Sequence, residues 1–323
     1  MFSKKLSFAR NLLGVIMVLS VLLSACQATT PAATPVATKE ATQAPAPTQA
    51  PTEEQTAKYN QAPMLKELVD KGELPPVEQR LPENPLVIPT VEGTGKYGGI
   101  WHRGFLGPSD YNNYVRVVYD GLVRFSPDGS KVEPRLIESW ESSPDFTTWT
   151  IHMRKGAKWS DGEPFTADDI MFWYNDVLLN TDLTPKVAKW MQNKDGSTAV
   201  VAKVDDYTVT WTYTNPNTTL MMELANQDGG DKSYAVFLPA HYLKQFHAKY
   251  ANADELNKMV TEAEFKTWAE LFATRKNPAE NPDRPVMAAW QPATRVSDDT
   301  LVLKRNPYFV GVDPEGNQLP YID

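Results

Sequence analysis

Cysteine is almost absent. Cys26 is the only one in 323 residues, which excludes an internal disulfide, a cysteine-based metal site and a thiol redox pair. Histidine is scarce: His102, His152, His241 and His247 are scattered, and no His-Glu-x-x-His, Gly-x-Ser-x-Gly or Walker spacing occurs. His241 and His247 stand six apart, a spacing that turns helical side chains to different faces. No nucleophile is paired with a base, so the expectation is a protein that is not an enzyme and carries no cofactor and no metal. Past the first 57 residues no run of Lys or Arg exceeds two, and the formal charge is −8, which argues against nucleic acid as a partner. The glycines of Gly93-Thr94-Gly95 and Tyr97-Gly98-Gly99 lack dinucleotide-binding spacing and read as a turn leading into a first strand.

What is present begins with a targeting segment. Residues 1–25 carry Lys4, Lys5 and Arg10, no acid, and an apolar run from Leu12 to Leu23 interrupted only by Gly14 and Ser20. Such a run is too short for a comfortable membrane span and reads as a signal peptide. It closes on Leu23-Ser24-Ala25-Cys26, which resembles the lipobox cut before a diacylglyceryl-modified cysteine. Residues 1–25 are therefore expected to be a lipoprotein signal peptide, and Cys26 the lipidated residue. Its acyl chains would supply the two signals that stable anchoring needs, placing the protein on the outer face of the cytoplasmic membrane. Loss of the three signal-peptide positives takes the mature charge from −8 to −11. Residues 26–56 are nearly all Ala, Thr, Pro and Gln, a composition that forms no core and favours an extended stalk. In residues 57–96, Pro63, Pro75, Pro76, Pro82, Pro85 and Pro89 forbid long elements apart from a short helix near Met64 to Lys71, predicting an extended wrap.

From residue 97 onward the chain is rich enough in apolar residues for a globular core. Thr147 to Met153 alternates, with Trp149, Ile151 and Met153 on one face, as in a half-buried strand. Asp161-Gly162 is a tight-turn dipeptide. Thr166 then caps a helix with Asp169 three residues on, and Ile170, Trp173 and Val177 form its apolar stripe. Asp168 and Asp169 read as capping chemistry at the positive end of that helix, not as a catalytic pair. Thr198–Lys203 and Thr208–Tyr213 predict a hairpin turning at Asp205-Asp206, with Val209, Trp211 and Tyr213 on one face.

The run Glu133-Pro134-Arg135-Leu136-Ile137-Glu138-Ser139-Trp140, continued through Trp149-Thr150-Ile151, Lys158-Trp159-Ser160-Asp161-Gly162 and Pro164 to Ile170, closely resembles the signature of family 5 solute-binding proteins. These are the oligopeptide-type receptors of bacterial ABC importers. The resemblance implies the order short helix, turn, strand, Asp-Gly turn and capped helix. Pro239 to Leu243, a helical stretch from Phe265 to Phe272, and the closing residues 306–323 extend it, so that it covers residues 97–323. It implies an α/β, periplasmic-binding-protein-like (type II, cluster C) first lobe with a mixed sheet and flanking helices. The second lobe is expected to be missing, the chain being an N-terminal fragment whose sheet edges lie unpaired.

The function so implied is a substrate-binding lipoprotein that captures extracellular peptides and delivers them to permease subunits by hinge closure. Two alternatives stand beside it: an oligosaccharide receptor of the same family, and a non-transport surface lipoprotein or non-functional fragment. In the family, peptide backbones pair with the segment after the opening strand, in the manner of β-augmentation. The matching residues are Phe105, Leu106, Gly107, Pro108, Ser109, Asp110 and Tyr111. Tyr111 and Tyr114 could equally pack under the next helix. Trp290 falls where the family has Gly-Pro-Trp near the cleft, although Ala288-Ala289 precedes it here and core packing is its other role.

Overall fold

A computed structural model describes residues 58–118, 120–226 and 236–323. The expected signal peptide, the stalk and Cys26 lie outside the described residues.

Residues 58–96 are stitched into the fold. Helix α1 (Pro63–Asp70) opens on Pro63 at its first position, where a missing N–H costs nothing. A single turn, α2 (Val77–Arg80), and strand β1 (Leu86–Val87) follow. Ala62, Leu65, Val77 and Leu81 are buried, and Arg80 is 0% exposed. Gly98 and Gly99 take positive φ, as the expected turn requires. The strand they were expected to lead into does not form. Residues 100–106 run without regular structure, and Ile100, Trp101 and Leu106 are 76%, 57% and 85% exposed. A strand exists only beside a partner, and among the described residues the backbone groups of Ile100–Arg103 and of Phe105 make no hydrogen bond.

After α3 (Tyr111–Val118), strands β2 (Val123–Phe125) and β3 (Val132–Pro134) form a hairpin, and β4 (Ile137–Ser142) follows directly. The short helix expected around Glu133–Trp140 is thus two strands. Ile137 and Trp140, three apart, mimic a helical stripe. A register shift between Ile137 and Ser139 puts both on the same face of the sheet, opposite Met153 and Ile151. Strand β5 (Thr148–Met153) alternates as expected, burying Trp149, Ile151 and Met153.

Helix α4 (Ala167–Phe172) carries the expected capping box. Asp168 N–H donates to Thr166 Oγ1 at 3.3 Å, and Thr166 N–H donates to Asp169 Oδ2 at 3.0 Å. The chain continues as a π-helical turn over Trp173–Leu178, keeping Ile170, Trp173 and Val177 buried. Urea unfolding of Thr166→Ala should show a loss of about 1 kcal/mol. An unchanged midpoint would mean that Asp169 alone sustains the cap.

Strands β6 (Val200–Asp205) and β7 (Thr208–Thr212) complete an antiparallel sheet in the order β4-β5-β7-β6. Its inner face places Val209 and Trp211 opposite Ile151 and Trp149. Against it pack Trp159, Phe165 and Ile170, with Phe165 edge-on to Trp159 at 5.6 Å. Helices α5 (Leu220–Ala225), α6 (Ala240–Leu243), α7 (Ala253–Glu262) and α8 (Trp268–Lys276) follow. α8 begins three residues later than the stretch expected from Phe265. Thr267 Oγ1 accepts the Glu270 N–H at 3.2 Å, and this cap leaves Phe265 outside the helix. Strands β8 (Trp290–Pro292) and β9 (Leu303–Arg305) make a last hairpin, and β10 (Gly311–Val312) runs parallel to β1. Parallel and antiparallel pairing thus both occur, in four small sheets among the described residues.

Candidate functional site

The candidate segment is built on a tight turn. Gly107 holds φ at +80° with open space around it, and Pro108–Asp110 form one 3-10 turn closed by Asp110 N–H to Gly107 O at 2.9 Å. Ser109 Oγ donates to Leu106 O at 3.4 Å. Phe105 packs inward on a satellite cluster of Tyr114, Ala279 and Val296, with Leu303 beside it. Leu106 is left almost fully in water. Tyr111 opens α3, its side chain outside the described residues, while Tyr114 is buried beneath it.

Trp290 is half-buried and stands apart from the main core. It faces Arg305 across the β8–β9 hairpin, and its Nε1 donates to Ile322 O at 3.3 Å. Because α3 packs against β8, the fold brings the end of the Phe105–Tyr111 segment and the Trp290 strand together. The sequence alone pointed to neither Ile100 and Trp101 nor Arg305 here. The only signal for the first two was an apolar pair directly after a diglycine.

Beside this site lies a buried polar junction. Arg305 Nη2 donates to Tyr321 O at 2.9 Å and to Asp323 Oδ1 at 2.6 Å, and Nη1 donates to Pro320 O. Its guanidinium lies 5.5 Å from the Tyr97 ring centre, within cation–π range. Burial pushes the Tyr97 hydroxyl up, the nearby Arg305 partly offsetting it, and that hydroxyl donates to Gln318 O at 2.9 Å. A Cβ on Gly95 would strike the Tyr321 ring, so glycine is required there.

The histidines serve elsewhere. His241 meets Asp161 at 2.9 Å. Burial raises the Asp161 pKa, but the hydrogen bonds from His241 and the Glu163 N–H outweigh it and hold the carboxyl below its usual range. His247 is buried among Phe172, Tyr250, Trp268 and Phe272. Its Nδ1 accepts the Lys249 N–H at 3.1 Å, leaving Nε2 to donate to Asp176 O at 2.9 Å. Among the described residues no three His, Cys, Asp or Glu side chains converge to hold a metal ion.

A profile described as bacterial extracellular solute-binding proteins, family 5 middle, matches residues 131–323. The periplasmic alpha-galactoside-binding protein of Rhizobium meliloti (strain 1021) is 34% identical over 280 residues, covering 80% of this chain and 37% of its own. A solved oligopeptide-binding protein OppA superposes with a TM-score of 0.75 at 42% identity, covering 84% of this chain and 41% of that one. The periplasmic binding protein MelB of Agrobacterium fabrum C58, solved with stachyose, gives 0.63 at 31% identity, covering 82% and 40%. This chain therefore spans about two-fifths of the length of these relatives. With the strand, Asp-Gly turn and capped helix of the signature in place and the profile matched from residue 131 to 323, the chain belongs to the family 5 extracellular solute-binding proteins of bacteria.

Proposed function

We propose that this chain is the ligand-capturing part of an ABC importer's receptor, anchored through a lipidated Cys26 outside the cytoplasmic membrane, and that it takes short peptides along residues 100–111. Delivery to permease subunits would follow closure around the ligand. One observation carries the choice of peptide: Ile100–Arg103 are exposed, and their backbone makes no hydrogen bond among the described residues. Free N–H and C=O groups in a row are what a peptide strand can pair with, and such pairing needs no particular side chain. Leu106 and Trp101 then offer apolar contacts to alternate ligand side chains.

An oligosaccharide is the second reading. Trp101, with Arg103 stacked 4.8 Å from its ring centre, presents a flat aromatic face, and one long-matching relative is named for alpha-galactosides. Calorimetric titration of the mature chain with mixed tri- to hexapeptides and with stachyose separates the two. Peptide capture requires heat from peptides that exceeds any from stachyose, and the reverse order would overturn it. Anchoring is tested separately by radiolabelled palmitate, which should enter the wild type and be lost in Cys26→Ser.

A further inference from the structure

Both ends of the candidate stretch are tied to one hairpin. At its far end, α3 packs against β8. At its near end, Gly98 N–H donates to Tyr321 O at 2.9 Å and Asp323 N–H donates to Gly99 O at 3.2 Å, so residues 98–99 are fastened to the tail at residues 320–323. Between the two ends, the backbone of Ile100–Arg103 makes no hydrogen bond among the described residues. Where that stretch lies therefore depends on where the tail lies.

Among the described residues three side chains hold the tail in turn: Tyr321 Oη donates to Asp313 Oδ2, Trp290 reaches Ile322, and Arg305 makes the most bonds. Arg305, with 1% of its side chain exposed, donates to Pro320 O, Tyr321 O and Asp323 Oδ1, and stacks beneath Tyr97. The carbonyl it leaves over, that of Ile322, takes the Trp290 indole N–H. Trp290 is also the residue directly opposite Arg305 in the hairpin.

We infer that Arg305 is a positioning residue that couples the Tyr97–Gly99 entry of the candidate segment to Trp290 through the 320–323 tail. The coupling rests on the ligand-site proposal only for its functional meaning, not for its geometry. A guanidinium is needed because its planar fork reaches several acceptors at once, whereas an ammonium in the same place keeps the charge but cannot hold three partners in that arrangement. Without the clasp, the five residues between Gly99 and Phe105 lose their anchor at Gly98–Gly99, and an extended chain of that length reaches about 17 Å.

Amide and indole hydrogen exchange, read by NMR on the full mature chain, tests this. In Arg305→Lys the Gly98 and Asp323 amides and the Trp290 indole N–H should all exchange at least tenfold faster, while the amides of β5 and β7 keep their rates. Asp323→Asn, which removes one charged acceptor from an exposed position, should give a smaller rise at the same three sites. Thr166→Ala, which loosens a distant cap, should move none of them.

Faster exchange at Gly98 with the Trp290 indole unchanged, or the converse, would overturn the coupling. So would an equal response to Thr166→Ala. If Arg305→Lys loosens the whole chain, Asp323→Asn decides on the same three sites. Titration adds a separate arm: whichever of the peptides or stachyose binds the wild type should bind Arg305→Lys at least tenfold more weakly. Unchanged affinity despite faster exchange would overturn the positioning role. Failure of the wild type to bind either probe would sink the ligand-site proposal and leave the coupling to stand on exchange.

Discussion

Arg80→Leu should destabilise the protein by about 3–5 kcal/mol in urea titration, the scale of a broken buried polar network. The guanidinium is wholly buried yet bonded to no carboxylate. Its partners are Pro75 O at 3.1 Å, Gln318 Oε1 at 2.8 Å, Pro307 O and Gln61 Oε1. Burial pulls its pKa down to about 10, so it remains charged at neutral pH and depends on those acceptors in place of water. A leucine would leave Pro75 O, Gln61 Oε1 and Gln318 Oε1 without a donor and Pro307 O with only Gln318 Nε2, and each buried orphan costs about 1–3 kcal/mol. Relief from burying an unpaired cation offsets part of that. Arg80→Lys should recover only a fraction, because one ammonium cannot reach all four. A loss below about 1 kcal/mol for the leucine variant would show that water enters and satisfies the acceptors.

Asp169→Asn should cost about 2–4 kcal/mol, although it is a one-atom change. The carboxylate is 4% exposed and accepts three N–H groups: Thr166 at 3.0 Å and Trp159 Nε1 at 3.2 Å on Oδ2, and Ala240 at 3.0 Å on Oδ1. An amide has one acceptor oxygen and an NH2 that would face a donor with a donor. The change therefore reaches α4, α6 and the Trp159 loop together. Burial raises the Asp169 pKa, and the hydrogen bonds it accepts lower it without overcoming burial. A raised folded pKa means that the linked stability is full below about pH 4 and is lost as pH rises through the folded value. The gap between wild type and Asp169→Asn should accordingly widen as pH falls from 7 to 4. A narrowing gap would show that the three donors, not burial, set the ionisation. Asp161 and Asp313 are held below the usual range and have the opposite sign, losing their contribution as pH falls below about 4.

Elements whose causes lie within about ten residues were legible beforehand. The alternation of Thr147 to Met153, the Thr166 cap with Asp169 and the β6–β7 hairpin each depend on neighbours in sequence, and each formed as its residues indicate. The short helix at 133–140 came with the family resemblance and was not borne out: these residues form two strands, and a bulge, invisible in composition, sets Ile137 and Trp140 on one face. At the candidate site, the turn residues could be named from the family resemblance. Trp290's partner could not, because Ile322 is 32 residues away.

Local periodicity, capping and turn chemistry are written in the order of residues, and they sufficed for β5, the capped helix and the β6–β7 hairpin. Long-range closure is not. Whether Ile100–Phe105 becomes a strand depends on a partner that no local pattern specifies. Arg80 and Arg305 look like surface residues until folding carries Pro307 to the first, 227 positions away, and Pro320 to the second. A side chain's burial and its bonding partners belong to the packed arrangement, since the energy of an arginine among carbonyls exists only once those carbonyls have been withdrawn from water around it.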